Sequence, residues 1–202
     1  MSIERKVKLV ENLFYQLEQQ TAQFQKTSGI DCVAGCGKCC THPAIEASPL
    51  EFLPWAFHLF LNDETEKMLD TINEKQSPTC LLYTPLSIID SNSGSCSNYK
   101  YRGLICRLFG SAANTDKYGK LRLTTCKIIK EGQVDKYNNT AEAINHGLSV
   151  PVFTDYYMQL NQIDFHLGNQ ILPVNKALKI AIEEVLQYYA YRPFPNKLKK
   201  IA

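Results

Sequence analysis

The sequence contains no hydrophobic run that approaches the roughly 20 residues of a membrane-spanning helix. Residues 1–14 carry charges every few positions and no apolar stretch, so they do not resemble a secretion signal. The formal net charge of +2 over 202 residues is too small to indicate a nucleic-acid-binding surface. We therefore expect a soluble, cytoplasmic protein that binds neither membranes nor nucleic acids, while a protein partner stays open.

The sequence also lacks the motifs of several common enzyme classes. We find no glycine-rich phosphate loop, no nucleophile beside a base and no carboxylate pair at helical spacing. With 45% hydrophobic and 21% charged residues, the chain has the composition of an ordinary globular protein. Its length suits a single domain over residues 1–202. These features do not decide whether the protein is an enzyme.

Helical periodicity is strongest at the two ends of the chain. Hydrophobic residues recur at steps of three and four over residues 3–26, and again over residues 151–167 and 174–191. This spacing is typical of helices that bury one face. We expect the first stretch to form a helical flank over residues 1–27 and the other two to form a second flank within residues 140–192.

The middle of the chain, residues 28–130, has no dominant period. From Cys80 to Cys126 the sequence is β-like and irregular, with short strands predicted at CLLY (80–83) and LSIID (86–90). The predicted fold class is therefore α+β and mainly helical. An irregular cysteine-rich metal-binding core with short strands is flanked by a long N-terminal helix and by C-terminal helices.

Two further helices are predicted within this core. Ser48 and Glu51 have the spacing of a capping box, which indicates that a helix begins there. A second helix is predicted over Glu64–Glu74, with Asn62 or Asp63 as its N-cap.

Cysteine is the residue that the sequence has in excess. A reducing cytosol disfavours disulfides, so many cysteines in one such chain indicate metal ligands or catalytic thiols. Four of them form the loop pattern C-x3-C-x2-C-C, in which Gly35 and Gly37 flank Cys36, and short glycine-rich spacings let one loop offer several thiolates to a metal. We predict that all eight are metal ligands: Cys32, Cys36, Cys39, Cys40, Cys80, Cys96, Cys106 and Cys126.

The sequence leaves the number of metals and the ligand set open. Neighbouring side chains diverge, so Cys39 and Cys40 are poorly suited to bind one tetrahedral ion together. The two cysteines could each bind a different metal. Alternatively, one of them could bind the metal while the other packs against its neighbours. The eight thiols could form two four-cysteine sites, or one site with buried spectator cysteines. His42 is a candidate nitrogen ligand. The first three cysteines also have the spacing of radical S-adenosylmethionine enzymes, but no alternating strand–helix series follows them.

The cysteine pattern resembles a known family. The loop CVAGCGKCC, followed by Cys80 and by CSNYKYRGLICR at residues 96–107, is similar to the YkgJ-like cysteine-cluster proteins, which are named for a CxxCxxCC pattern. The second motif of that family reads approximately C-x-x-Y-x-x-R-P-x-x-C-R, and Gly103 stands where proline is usual. The resemblance covers Cys32 to Cys126 and implies zinc or iron chelation. It implies no settled reaction, although a related cysteine-rich region occurs in flagellin lysine methylases.

Three residues of the second motif are candidates for contacts around the metal centre. Arg102 and Arg107 flank Cys106, and positive charge and donated hydrogen bonds stabilise an anionic thiolate–metal centre. Tyr99 could donate its hydroxyl to a sulfur or to an arginine. We therefore predict cofactor-binding roles for Tyr99, Arg102 and Arg107.

Three functions are consistent with these features. The first, slightly favoured, is an iron–sulfur or other redox metal protein, for which oxidoreductase is the natural enzyme class. The second is a zinc-stabilised binding or scaffold module without catalysis. The third is a cluster-dependent protein-modifying enzyme of methylase or radical type.

Overall fold

The computed structural model describes residues 1–33, 35–75, 77–86 and 93–195. The α-helices in these ranges are α1 (Ile3–Ser28), α2 (Leu53–Leu61), α3 (Thr65–Glu74), α4 (Leu104–Leu108), α5 (Lys127–Gly132), α6 (Val134–Asn145), α7 (Phe153–Ile163), α8 (Phe165–Gly168) and α9 (Val174–Tyr189). The strands are β1 (Glu46–Ala47), β2 (Tyr83–Pro85), β3 (Gly94–Cys96), β4 (Ala112–Thr115), β5 (Leu121–Thr124) and β6 (Leu172–Pro173). Short 3-10 helices span Lys38–Thr41, Pro49–Phe52 and Tyr99–Tyr101.

Helix α1 has clear signals at both of its ends. The side chain of Ser2 accepts a hydrogen bond from the backbone N–H of Arg5, which satisfies one of the free amides of the first turn. At the other end Gly29 adopts a left-handed conformation, with φ of 66°, and its N–H donates to the carbonyl of Gln25. Because glycine has no Cβ, it takes this conformation without the penalty that other residues meet.

The helices form a frame around one main hydrophobic core. Helix α1 packs against α2 and α7, while α9 packs against α2 and α3. The side chains of Leu17, Leu53 and Trp55 are fully buried at its centre. A smaller core lies under the C-terminal end of α1, where Phe24 packs with Ile129 and other residues of the later segments. Burial of these apolar side chains is the main source of the frame's stability.

The strands form three separate antiparallel pairs, β1 with β6, β2 with β3 and β4 with β5. In the second pair Tyr83 lies opposite Cys96. The third pair is a hairpin, and the N–H of Ala113 donates to the carbonyl of Pro151 at 2.8 Å, which joins that hairpin to the segment before α7. The pairs are too small to make a sheet layer. Each pair instead connects two neighbouring segments of the chain to each other.

The structure confirms the predicted mainly helical α+β class, with a long N-terminal helix and C-terminal helices. No helix in the described part of the chain combines the length and the hydrophobicity that crossing a bilayer requires. The strand predicted at CLLY is shifted, since only Tyr83 of that segment is in β2. Residues 87–90 of the other predicted strand lie outside the described residues. The single-domain division over residues 1–202 stays a prediction.

The prediction that Asn62 or Asp63 caps the N-terminus of the second core helix was wrong. The N-cap of α3 is Glu64. The side chain of Asn62 instead donates back to the carbonyl of His58 at 2.7 Å, so it closes the preceding helix. Asp63 adopts a positive φ of 59° between the two helices. The capping box of Ser48 and Glu51 is present, and it opens a 3-10 turn before α2.

Candidate metal centre

One cavity of about 360 Å³ brings the cysteines together, and we call it the cysteine chamber. Its walls come from the loop after α1, the β2–β3 pair, α4 and the N-terminus of α5. Every cysteine of the chain is a free thiol, and all of them line this chamber. Residues that are far apart in sequence therefore meet at one place, as the prediction of a shared site required.

The glycine-rich loop is held against the β2–β3 pair. Gly37 has φ of 57°, and a Cβ at this position would lie 2.7 Å from the carbonyl oxygen of Gly94 and 2.7 Å from the ring of Tyr83. The N–H of Gly94 donates to the carbonyl of Gly35 at 3.0 Å. Glycine at position 37 is therefore required for the close approach. This contact positions the loop that carries Cys36 beside the strand that ends at Cys96.

The segment around Cys80 is fixed by a side chain that the sequence analysis did not select. Asn175, at the start of α9, accepts a hydrogen bond from the N–H of Leu81 at 2.9 Å. Its amide nitrogen donates to the carbonyls of Ser77 at 2.9 Å and Thr79 at 2.8 Å. These three bonds fasten the chain on both sides of Cys80 to the helical frame. No local motif predicts them, since the partners are more than 90 residues apart.

A second missed residue, Glu51, supports Cys106. Its carboxylate is fully buried and accepts hydrogen bonds from the N–H of Ser48 at 2.8 Å and the N–H of Ile105 at 3.0 Å. Burial raises the pKa of Glu51. A Cβ on Gly103 would lie 2.9 Å from a carboxylate oxygen of Glu51. Glycine at position 103, before α4, therefore leaves room for the Glu51 carboxylate.

The last cysteine lies at a helix start. Cys126 is the N-cap of α5, and its sulfur accepts a hydrogen bond from the N–H of Ile129 at 3.5 Å. The charge of Cys126 acts on Cys32, so these two residues, which are far apart in sequence, share one side of the chamber.

The mutual electrostatic effects of the thiols define one group around Cys32 and one around Cys106, and Cys39 acts on both groups. Burial raises the pKa of Cys32, and the neighbouring thiolates of Cys36, Cys39 and Cys126 raise it further. Burial also raises the pKa of Cys106, together with Glu51 and the thiolates of Cys80, Cys39 and Cys96. Cys106 is reached by solvent through the chamber, although protein encloses it on nearly all sides.

The two groups meet at the adjacent pair. The thiols of Cys39 and Cys40 share a hydrogen bond, which lowers the pKa of Cys39 and raises that of Cys40. Cys40 also interacts with Cys106 and Cys80, which belong to the second group. The pair therefore joins the loop group to the group around α4.

The donor set fits a thiolate-bound metal in its chemistry and its number. Thiolates are the ligands that zinc and iron–sulfur clusters select in proteins. Within the described ranges, no three histidine, cysteine, aspartate or glutamate side chains converge closely enough to hold one ion. His42 is exposed, and its ring nitrogen accepts a hydrogen bond from the N–H of Ala44 at 3.2 Å.

The structure places Tyr99, Arg102 and Arg107 on the wall of the same chamber. The guanidinium of Arg102 stacks 4.0 Å from the ring centre of Tyr99. Burial raises the pKa of Cys96, and the charge of Arg102 opposes that rise. The side chain of Tyr99 is 63% exposed at the chamber mouth.

Arg107 is only 7% exposed and is held by several partners. Its guanidinium donates to the carbonyl of Arg102 at 2.9 Å and to the carbonyl of Lys100 at 2.6 Å. It also forms an ion pair with Glu18 on α1 and packs against the ring of Phe14. Through these contacts Arg107 connects the turn before α4 to helix α1.

A helical frame that carries a chamber lined by free thiols offers the ligand type of a metal-chelating domain. Residues 31–127 match the family model CxxCxxCC, which is described as "Putative zinc- or iron-chelating domain". This segment of the chain is similar to the CxxCxxCC family, and the match confirms the resemblance inferred from the cysteine pattern. No curated protein and no solved structure shows a significant match to the chain.

Proposed function

We propose that the protein is an iron–sulfur protein of redox type that holds its metal in the cysteine chamber. The observation that carries the proposal is that all eight thiols line one cavity and none is consumed in a disulfide. An iron–sulfur cluster would supply one-electron transfer when bound. The cysteines would hold it, and the surrounding charges and hydrogen bonds would tune it.

The thiols around Cys32 and those around Cys106 would form two metal centres of four cysteines each, with Cys39, which acts on both groups, assigned to the first. Three cysteines of the loop and the N-cap cysteine of α5 make one set, namely Cys32, Cys36, Cys39 and Cys126. The second set comes from the loop end, the β2–β3 region and α4, namely Cys40, Cys80, Cys96 and Cys106. In this division the adjacent pair is split between the centres, so the hydrogen bond that the two thiols share would be replaced by bonds to two different metals.

The arginines have different roles in this proposal. Arg102 would offset the negative charge of the thiolates on the Cys96 side, because its guanidinium already acts on that thiol. Arg107 would act through the backbone by holding the turn that leads to Cys106. Tyr99 would shield the chamber mouth and orient Arg102 through the stacking contact.

A zinc-stabilised scaffold is the alternative. It is favoured by the short secondary structure around the chamber, where the thiols sit on turns, on short helices and at the end of one three-residue strand. Such segments gain stability from a metal that links them, as structural zinc does in small domains. Zinc would supply no redox chemistry, so this protein would then act through its surfaces.

Anaerobic purification separates the two functions. An iron–sulfur protein is expected to be brown, to absorb broadly near roughly 400 nm and to contain iron with acid-labile sulfide. A colourless protein with stoichiometric zinc in elemental analysis would overturn the redox proposal and support the scaffold. A protein that retains neither metal, even after anaerobic reconstitution with iron and sulfide or with zinc, would overturn both.

Single substitutions test the division into two centres. Cys32→Ser and Cys106→Ser are each expected to remove about half of the bound metal, because each disrupts one set of ligands. Ser95→Ala is the matched control, since Ser95 lines the same chamber without a thiol. Loss of all metal in either cysteine variant would indicate a single shared centre.

A further inference from the structure

A second and larger cavity lies on the other side of the arginines. It has a volume of about 540 Å³ and runs between helix α1 and the turn at Tyr99–Arg102. We call it the arginine groove. Its volume is in the range of small-molecule sites, and its lining is divided evenly between hydrophobic or aromatic residues and polar or charged ones. Nothing in the metal proposal uses it.

The charges of the groove are unbalanced around one carboxylate. Glu18 lies beside both Arg102 and Arg107. Arg107 takes the close ion pair, whereas the nearest guanidinium nitrogen of Arg102 lies 3.7 Å from the Glu18 oxygen, too far for a hydrogen bond. One carboxylate therefore faces two guanidinium groups, while Glu11 and Lys100 add one charge of each sign to the lining. One terminal nitrogen of Arg102 donates to the carbonyl of Tyr99 at 3.1 Å, and the other keeps donors that can turn toward a further anion.

The walls of the groove are flat and aromatic. The side chains of Tyr15 and Tyr99 are 64% and 63% exposed, although aromatic rings of this size usually bury much of their surface. Both line the groove. Two exposed rings beside a cation fit a ligand with a planar apolar body, because ring faces offer contact area at small cost in side-chain entropy.

An unsatisfied polar atom lies where the groove meets the cysteine chamber. Thr21 lines both cavities, and its hydroxyl is buried without a hydrogen-bond partner among the described residues. Buried hydroxyls in native proteins nearly always have a partner, so such an atom indicates a missing one. Arg102, Arg107 and Tyr99 also belong to both cavities, and a ligand in the groove would lie next to the thiols.

We propose that the arginine groove binds a small organic carboxylate with a flat apolar body. Arg102 is its anion partner, since the planar guanidinium matches a carboxylate in a two-bond arrangement. Tyr15 and Tyr99 contact its body, and the Thr21 hydroxyl bonds its polar end or a linking water. A ligand bound in this way sits against the wall of the metal centre, yet its binding does not require the metal.

Titration of the purified, metal-loaded protein with benzoate tests the proposal. Saturable binding is expected by ligand-observed NMR or calorimetry, with a dissociation constant on the order of 1 mM for so small a probe. Benzamide has the same shape without the charge, and its affinity is expected to be lower by about tenfold or more, because it cannot pair with the guanidinium. Equal affinity for the two probes, or no saturable binding of benzoate, would overturn the proposal.

Three variants locate the site. Arg102→Gln is expected to weaken benzoate binding by about tenfold, while Glu18→Gln removes the competing carboxylate and is expected to strengthen it. Ala22→Trp fills the groove from an exposed position on α1, so it blocks binding without touching a cysteine. Arg122→Gln is the matched control, because this arginine is exposed and lines neither cavity.

The variants also guard against indirect effects. Metal content and the helical circular dichroism signal are measured for each, so that a loss of folding in Arg102→Gln is recognised. Should that variant unfold, Ala22→Trp still decides the location. Unchanged benzoate affinity in Ala22→Trp would place the binding elsewhere and refute the assignment of the groove.

Discussion

Replacing Glu51 with glutamine tests how the buried carboxylate supports the metal centre. The two oxygens of Glu51 accept bonds from the N–H of Ser48, the hydroxyl of Ser48 and the N–H of Ile105. Glutamine keeps nearly the same shape but offers only one acceptor oxygen. Its amide NH₂ group must then face one of the backbone donors, either at the capping box or at the start of α4.

The expected cost follows from that mismatch. A buried donor left without an acceptor costs about 1–3 kcal/mol. In a chain of this size each kcal/mol lowers the melting temperature by about 2–4 °C, so a decrease of about 2–12 °C is expected. Because α4 carries Cys106, the loosened helix start should also weaken metal binding, by about 10–100-fold if Glu51 acts like other groups that orient ligands.

Equilibrium urea unfolding of the metal-loaded protein measures the stability term, and competition with a chelator measures the metal affinity. Glu46→Gln is the control, because Glu46 is an exposed residue of β1 close to the same capping box. Surface changes of this kind usually stay within about 0.5 kcal/mol. If Glu51→Gln behaves like the control in both assays, Glu51 does not hold Cys106 in place and the reasoning is refuted.

Three other predictions concern the loop, the helical frame and the metal. Gly37→Ala is expected to cost about 1–3 kcal/mol more in urea unfolding than Gly119→Ala, because both glycines have positive φ but only Gly37 has atoms near its missing Cβ. Although burial opposes it, the hydrogen bond to Lys6 lowers the pKa of Asp164. The stability that this pair contributes is therefore present above a pH of about 4 and is lost as the pH falls through the pKa of Asp164 in the folded protein. Unfolding curves measured at several pH values should show that Asp164→Asn abolishes this loss at acidic pH. Removal of metal by a chelator should leave most of the far-ultraviolet helical signal, and complete loss of that signal would show that the frame depends on the metal.

The helices that could be predicted from the sequence are those whose signals lie within the helix itself or directly beside it. The heptad-like spacing of α1 and α9 and the glycine that ends α1 lie within each segment, so the sequence alone was sufficient for them. Helices α5 and α6 were missed because they bury few side chains, chiefly Ile129, Thr140 and Ile144. Such a sparse pattern gives hydrophobic periodicity little to detect.

The candidate site was predictable in its ligand types and not in its supports. Eight cysteines in a family pattern predict a thiolate site, and in the structure all eight line the cysteine chamber. Glu51 was recognised only for its bond within the capping box. Its second bond, to Ile105, spans 54 residues, and the bonds of Asn175 span still more. Contacts of this range depend on how helices pack, which no local pattern encodes.

The supports lie outside the chamber, and this arrangement bears on how the site can work. Glu51 and Asn175 fasten α4 and the Cys80 segment to the main core through bonds that involve no sulfur. Arg107 fastens the intervening turn to α1. The frame therefore positions the chamber walls through bonds that do not depend on the thiols. A site built in this way keeps the segments that carry the cysteines, and the neighbouring arginine groove, in fixed positions relative to each other.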